Sequence, residues 1–346
     1  MTPTTQLVTP QALSEQLPLS LELEAIIHQY RDQVKAILSG EDQRLLVVMG
    51  PCSIHDVNAA FAYAQQLNSL QQRYQQALFI IMRTYFEKPR TVSGWRGLIY
   101  DPYCDGSMQI NQGLQLARQL SLQINQLGLP TATEFLNSLV YPYIENLITW
   151  GTIGARTSES QQHRELASAI RCPIGFKNNT AGDIQVAIDA IRAAREPQML
   201  LTQNQQGIPT LYHTPGNPFT HLILRGGRQP NYQAEAVADA CRQLHTFQLP
   251  QRLLIDCSHG NCQKNYQRQL VVIDDLCQQL RSGSLVIAGV MIESFLVPGN
   301  QANRPRKFLT YGQSITDPCL GWSDSEHVLA ALAEAITFRS TSPDIP

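Results

Sequence analysis

The sequence predicts an α/β chain folded as a (β/α)8 TIM barrel, carrying an N-terminal arm and an inserted β-hairpin. Three observations lead there. Eight short apolar runs rich in β-branched residues recur along the chain, stretches of helical period separate most of them, and every run ends in or near a polar or ionisable side chain. Most runs are continuous rather than alternating, as suits parallel strands covered on both faces. A doubly wound open sheet is the competing architecture, but no GxGxxG turn follows a strand to support it.

The arm covers residues 1–43 and ends in a helix over Leu21–Leu38, stopped by Gly40 in the position where a left-handed residue closes a helix. The barrel domain covers 44–340, with strands expected at Arg44–Met49, Leu78–Arg83, Leu129–Glu134, Thr149–Arg156, Pro173–Asn178, His221–Arg225, Arg252–Asp256 and Leu285–Glu293. Amphipathic helices fall at Asn58–Tyr74, Gln112–Leu127, Ser160–Ile170, Asp183–Arg195, Ala234–Phe247 and Tyr266–Leu280. A last one is expected at Ser325–Phe338, with Asp324 as its N-cap. Two segments exceed the barrel repeat. Thr84–Ile110 reads as a long βα loop, and 198–220 as a hairpin of MLLTQ and TLYHT joined by the turn NQQG. Loops of such length in a compact fold usually carry function.

The chain has 346 residues, of which 43% are apolar and only 16% charged, against a typical ~25%. With 26 Lys and Arg against 28 Asp and Glu, it offers no basic surface for nucleic acid or an anionic membrane. No apolar run approaches the ~18 residues of a membrane helix, and the first residues, MTPTTQLVTP, do not read as a signal peptide. Eight irregularly spaced cysteines suit reduced thiols, so a cytoplasmic protein is expected.

The strand ends carry the functional reading. In chain order they are Cys52, Arg83, Glu134, Arg156, Lys177, Arg225, His259 and Glu293, and in a parallel barrel they converge on one mouth. Four are cations, and the second βα loop adds Lys88 and Arg90. Burying unpaired cations is expensive, so the rim calls for a ligand with phosphate or carboxylate groups. The structural alternative is salt bridges with the barrel's own Asp and Glu, in which Glu87 or Glu134 would satisfy one or two of them. Cys52, His259 and Glu293, with Asp317 from the loop SITDPC, offer S, N and O donors suited to one divalent ion of the Mn, Fe, Co or Zn class. The same residues also admit a structural reading: Cys52 as a small buried hydrophobe, His259 as a core histidine, Glu293 as an arginine partner. Trp95 and Trp322 read equally as lids or as packing, His163 and Arg164 as structural.

Nine segments together resemble the class I 3-deoxy-D-arabino-heptulosonate 7-phosphate (DAHP) synthases: GPCSIHD, MRTYFEKPRT, GWRGL, IGARTSESQQHRELAS, PIGFKN, LILRGG, DCSHGN, GVMIES and YGQSITDPCLGW. The resemblance runs from about Arg44 to Trp322. It implies a metal-dependent condensation of phosphoenolpyruvate with erythrose 4-phosphate, the first step of the shikimate pathway. It implies metal ligation by Cys52, His259, Glu293 and Asp317. Phosphoenolpyruvate contacts fall on Arg83, Lys88, Glu134, Arg156, Lys177 and Arg225, and erythrose 4-phosphate contacts on Lys88, Pro89, Arg90 and Thr91, with Asp317 nearby. Lys88 is the candidate proton donor, so Lys88, His259 and Asp317 form the expected catalytic set.

The resemblance also implies feedback inhibition by an aromatic amino acid, at a site built from the arm, the loop after Glu134 and the hairpin. NQQG, TPGNP and DCSHGN point to the tyrosine-inhibited members. Arg171 and Val140-Tyr141-Pro142 depart from the family's usual residues there. A homodimer or homotetramer is expected, because Leu17, Leu19, Leu21 and Leu23 of the arm would otherwise expose apolar surface. Two other functions compete: a Schiff-base aldolase using Lys177, and a sensor that keeps the barrel without turnover.

Overall fold

The computed structural model describes residues 4–341. Its first helix, α1 (Pro10–Gln16), was not anticipated. Thr9 caps it by accepting from the Ala12 amide, and Pro10 occupies the first turn, where a missing amide does no harm. Helix α2 (Leu21–Ser39) starts where Ser20 accepts from the Leu23 amide and stops at Gly40, whose φ of 88° only glycine adopts freely.

The strands in chain order are β1 (Leu45–Gly50), β2 (Leu78–Arg83), β3 (Thr131–Glu134), β4 (Trp150–Ile153), β5 (Ile174–Lys177), β6 (Met199–Gln203), β7 (Pro209–His213), β8 (Thr220–Leu224), β9 (Leu253–Asp256), β10 (Ile287–Glu293), β11 (Val297–Asn300) and β12 (Gln313–Ser314). Eight close a parallel barrel in the order β1-β10-β9-β8-β5-β4-β3-β2, so every sequence-neighbouring barrel strand is also a spatial neighbour. Register between the first and last strands sets Gly50 beside Glu293. The hairpin is there as expected, with β6 and β7 antiparallel. The small parallel pair β11–β12 was not foreseen: two and four residues long, it carries too little pattern to see.

Around the barrel run α3 (Val57–Tyr74), α4 (Ile110–Gln126), α5 (Tyr141–Ile144), α6 (Gln161–Ala169), α7 (Gln185–Arg195), α8 (Ala234–Thr246), α9 (Arg268–Arg281) and α10 (Trp322–Thr341). The third βα unit therefore has only the four-residue α5 and a 3-10 turn at Glu145–Leu147. Two boundaries differ from expectation. Helix α10 begins at Trp322, so Asp324 lies within its first turn, where its charge still suits the helix N-terminus. Strand β4 ends at Ile153, because the Thr157 and Ser158 amides both turn back onto the Gly154 carbonyl, leaving Arg156 in a turn beyond the strand.

Alternation along the strands sorts two cores. Leu46, Val48, Phe79, Ile81, Trp150 and Leu254 fill the barrel interior, and Val34, Ile37 and Leu38 of α2 join that cluster. Helix α2 thus closes the amino-terminal end of the barrel, each fully buried aliphatic contributing about 1.5–3 kcal/mol. Leu45, Val47, Met49, Leu78, Ile80 and Met82 face outward into the second core beneath the helices. The arm leucines were expected to lie open, but Leu23 is buried with Ile27, Leu122 and Leu147, and Leu17 and Leu19 lie against the same cluster. Only Leu21 of the four is exposed, at 85%. The sequence could not show that α4 and the 3-10 turn would cover the other three.

Candidate active site

With one end plugged, the carboxyl ends of the strands form the open mouth. Arg83 closes β2 and is 1% exposed. Its Nη2 donates to Glu293 Oε1 at 3.1 Å, and its guanidinium lies 4.0 Å over the Tyr85 ring. Its Nη1 is buried with no partner, a donor that a bound anion would satisfy. Lys177, the last residue of β5, is buried and donates to Asp256 Oδ2 at 2.7 Å. The carboxylates that pair these cations are therefore Glu293, as its reading as an arginine partner had it, and Asp256, rather than Glu87 or Glu134. Glu87 instead accepts from the Tyr100 hydroxyl at 3.2 Å, and burial pushes its carboxyl up to about 8. Glu134 ends β3 against Gly154, where an added Cβ would lie 2.0 Å from Glu134 Oε1.

The four expected metal donors fall in one neighbourhood. Ligand atoms of Cys52, Glu293 and Asp317 lie within 4.8 Å of one another. The Cys52 thiol donates to Asp317 Oδ2 at 3.2 Å. His259 borders this triplet with Nε2 3.7 Å from Glu293 Oε1. Burial, with Glu293 beside it, pushes the Cys52 thiol up to about 12, so a doubly charged cation is what would draw out the thiolate. Burial alone would raise Asp317, but Lys88 and His259 outweigh it and hold its carboxyl below the ordinary range. A soft thiolate, an imidazole and two carboxylates fit a borderline divalent ion.

Lys88 reaches into this group from the second loop, with Nζ 3.0 Å from Cys52 Sγ and 3.9 Å from Asp317 Oδ2. Burial opposes its charge, yet Cys52, Asp317 and Glu293 more than offset that and hold its pKa above the ordinary value. Along the same loop Arg90 and Thr91 are exposed. Arg156 is exposed as well, its Nη1 donating to the Pro89 carbonyl at 3.1 Å, so the turn after β4 and the loop are tied together. Thr91, Arg156, Arg225, His259, Glu293 and Asp317 line one cavity of about 720 Å³. A second cavity of about 550 Å³ lies against the loop, lined by Lys88, Pro89, Arg90, Tyr100 and Asn137 among others.

Asp256 was missed as a site residue. It ends β9 as the single acid of LLID, fully buried beneath the mouth; an acid closing an apolar strand was the available signal. Other candidates resolve as packing. His163 is held between Ser160 Oγ and the Leu136 carbonyl, Trp95 is buried and donates to the Asp101 carbonyl, and Trp322 meets Tyr63 edge-on at 5.4 Å.

The DAHP synthetase I family matches residues 19–330. The chain is 56% identical over 333 residues to the Trp-sensitive phospho-2-dehydro-3-deoxyheptonate aldolase of Salmonella typhi, covering 96% of each chain. It is 55% identical, with the same coverage, to the Trp-sensitive enzyme of Escherichia coli strain K12. The chain belongs to the DAHP synthetase I family. The solved phospho-2-dehydro-3-deoxyheptonate aldolase of Francisella tularensis superposes with a TM-score of 0.95 at 45% identity, covering 98% of this chain and 99% of that one.

Within this DAHP synthetase fold the three segments expected to build a regulatory site do meet. The Gln11 amide of the arm donates to the Gln205 carbonyl in the hairpin turn, and the Tyr143 hydroxyl donates to the Val8 carbonyl. Thr202 Oγ1 and Gln203 Nε2 of β6 donate to the Ser138 and Leu139 carbonyls in the loop after β3. The expected tyrosine type finds no support in these two relatives, both named for tryptophan sensitivity. Three short motifs reported the family and could not report the effector.

Proposed function

We propose that this chain is a 3-deoxy-7-phosphoheptulonate synthase, condensing phosphoenolpyruvate with D-erythrose 4-phosphate and water to give DAHP and phosphate, the entry to chorismate and the aromatic amino acids. The observation that carries the reading is the meeting of two sets at one ammonium. Lys88 stands between the S and O donors of Cys52 and Asp317 while its loop also carries Arg90 and Thr91.

In this reading Arg83, Lys88, Arg156, Lys177 and Arg225 neutralise the carboxylate and phosphate of phosphoenolpyruvate, with Glu134 beside them. Pro89, Arg90 and Thr91 receive erythrose 4-phosphate. Holding both reactants turns a bimolecular encounter into an oriented one. Cys52, His259, Glu293 and Asp317 would hold a divalent ion of the Mn, Fe, Co or Zn class, which supplies Lewis-acid polarisation of the aldehyde oxygen. As C3 of phosphoenolpyruvate bonds to the aldehyde carbon, Lys88 Nζ delivers its proton to the aldehyde oxygen. The cationic rim stabilises the charge that gathers on the way. Water then bonds to C2 with loss of a proton, and the resulting hemiketal phosphate expels phosphate by breaking its C–O bond.

The 2.7 Å contact of Lys177 Nζ with buried Asp256 Oδ2 works against the Schiff-base alternative, since it engages the nitrogen that would have to attack a carbonyl. Full retention of the substrate positions works against a sensor without turnover. Single-turnover phosphate release tests all three readings. Release that requires phosphoenolpyruvate, erythrose 4-phosphate and a divalent ion is expected. Covalent trapping on Lys177 by borohydride, with activity spared by chelator, would sink the proposal.

An aromatic amino acid, tryptophan ahead of tyrosine, is the proposed effector where arm, hairpin and loop meet. Assembly into a homodimer or homotetramer is also part of the reading. Met199, Leu201 and Leu211 expose the hairpin's apolar side chains, and Leu21 adds another on the arm. Free cysteines suit the cytoplasm, and among the described residues no helix is long and apolar enough to cross a membrane.

A further inference from the structure

We infer that Asp256, with Ser258, is the positioning residue that fixes the tautomer of His259 and turns its Nε2 toward Glu293 and the donors that would hold a divalent ion. The inference rests on the function proposed above and concerns residues to which that reading gives no role.

Every contact made by the Asp256 carboxylate is with a donor. Oδ2 accepts from Lys177 Nζ at 2.7 Å and lies 2.9 Å from His259 Nδ1. Oδ1 accepts from the Ser258 amide at 3.0 Å and from Ser258 Oγ at 2.8 Å. Ser258 Oγ is also 2.6 Å from His259 Nδ1. The serine has one hydroxyl hydrogen, and Oδ1 takes it. With that hydrogen given to Oδ1, Nδ1 is the ring nitrogen placed to carry the proton, 2.6 Å from Oγ and 2.9 Å from Oδ2. The lone pair is left on Nε2, the atom 3.7 Å from Glu293 Oε1 at the edge of the donor set. A ligating imidazole needs that arrangement, with its far nitrogen tied to a carboxylate.

The backbone serves the same end. His259 has a φ of 57°, uncommon for a residue with a side chain. The turn is pinned in place: Asn261 Nδ2 donates to the Leu224 and Asp256 carbonyls at 3.1 and 2.9 Å, and the Gly260 amide donates to the Arg225 carbonyl at 3.1 Å. Lys177 supplies the counter-charge that lets a carboxylate stand fully buried there.

The test uses the full chain freed of metal and titrated with Mn²⁺, followed by electron paramagnetic resonance, and the absorption spectrum of the Co²⁺-loaded protein. Asp256→Asn keeps the shape, but its amide nitrogen must face at least one donor whichever way it turns. Mn²⁺ affinity is expected to fall at least ~10-fold, with a shifted Co²⁺ ligand-field spectrum. Ser258→Ala removes one of the two Nδ1 acceptors and should lower Mn²⁺ affinity about 10-fold, the low end for one outer-shell contact. It decides the matter should Asp256→Asn not fold. A purely structural role would lower melting temperature and leave both readouts unchanged. Folded variants that bind Mn²⁺ within twofold of the unaltered chain, with the same Co²⁺ spectrum, would overturn the inference. An unaltered chain that binds no Mn²⁺ would overturn the proposed function, and the inference with it.

Discussion

Lys88 Nζ stands 3.0 Å from Cys52 Sγ. One residue comes from the loop after the second strand and the other from just past the first, so adjacent barrel strands bring a proton carrier against an ion's softest donor. Lys88→Met keeps much of the side-chain volume and removes the proton. Turnover is expected to fall at least ~100-fold, the size of a general-acid contribution, while Mn²⁺ binding measured by titration stays close to that of the unaltered chain. Unchanged turnover would remove Lys88 from the mechanism.

Removal of divalent ions by chelator is expected to abolish phosphate release and to lower the melting temperature together. An ion at 100 times its Kd stabilises the folded state by about 2.7 kcal/mol. Calorimetry with and without Mn²⁺ checks this. Cys52→Ala should shrink the difference by removing a ligand while leaving the metal-free melting temperature nearly unchanged.

Gly154 leaves space for the Glu134 carboxylate, since an added Cβ would lie 2.0 Å from Oε1. Gly154→Ala is therefore expected to push Glu134 out of place and to lower kcat/KM about 100-fold, the penalty of an ångström-scale misplacement. A folded variant with unchanged kcat/KM would mean that Glu134 makes no productive contact.

Glu87 links pH to stability. Burial, chiefly, raises its carboxyl to about 8, above its ordinary 4.5. The folded state therefore holds this proton while the unfolded chain loses it, and stability falls as pH rises from about 4.5 to about 8, then levels off. Denaturant unfolding across that window should show the decline, and Glu87→Gln should flatten it. An unchanged pH profile in the variant would place the titration elsewhere.

Tryptophan is expected to inhibit phosphate release more strongly than tyrosine. Deleting residues 1–18, which carry the arm's contacts to Gln205 and Tyr143, should relieve that inhibition. Stronger inhibition by tyrosine would return the effector to the reading suggested by the motifs NQQG and DCSHGN.

The barrel was legible because parallel strands covered on both faces leave continuous apolar runs such as LLVVMG and LFIIMR, all buried as that composition requires. The site rim was legible because a charge at the end of such a run has few structural uses, and Arg83, Glu134, Lys177 and Glu293 all end strands. Short elements were not legible: α5 and β12 have four and two residues, below any period the sequence can display.

Pattern and residue type alone thus determined the fold class and the mouth, because burial and strand periodicity are written locally along the chain; the family was legible only through the resemblance of nine segments. Which carboxylate answers which cation was settled only in three dimensions. Arg83 meets Glu293, 210 residues away, and Lys177 meets Asp256, 79 residues away. Ion pairing depends on distances of a few ångströms between side chains from different strands, and barrel register sets those distances, not sequence spacing.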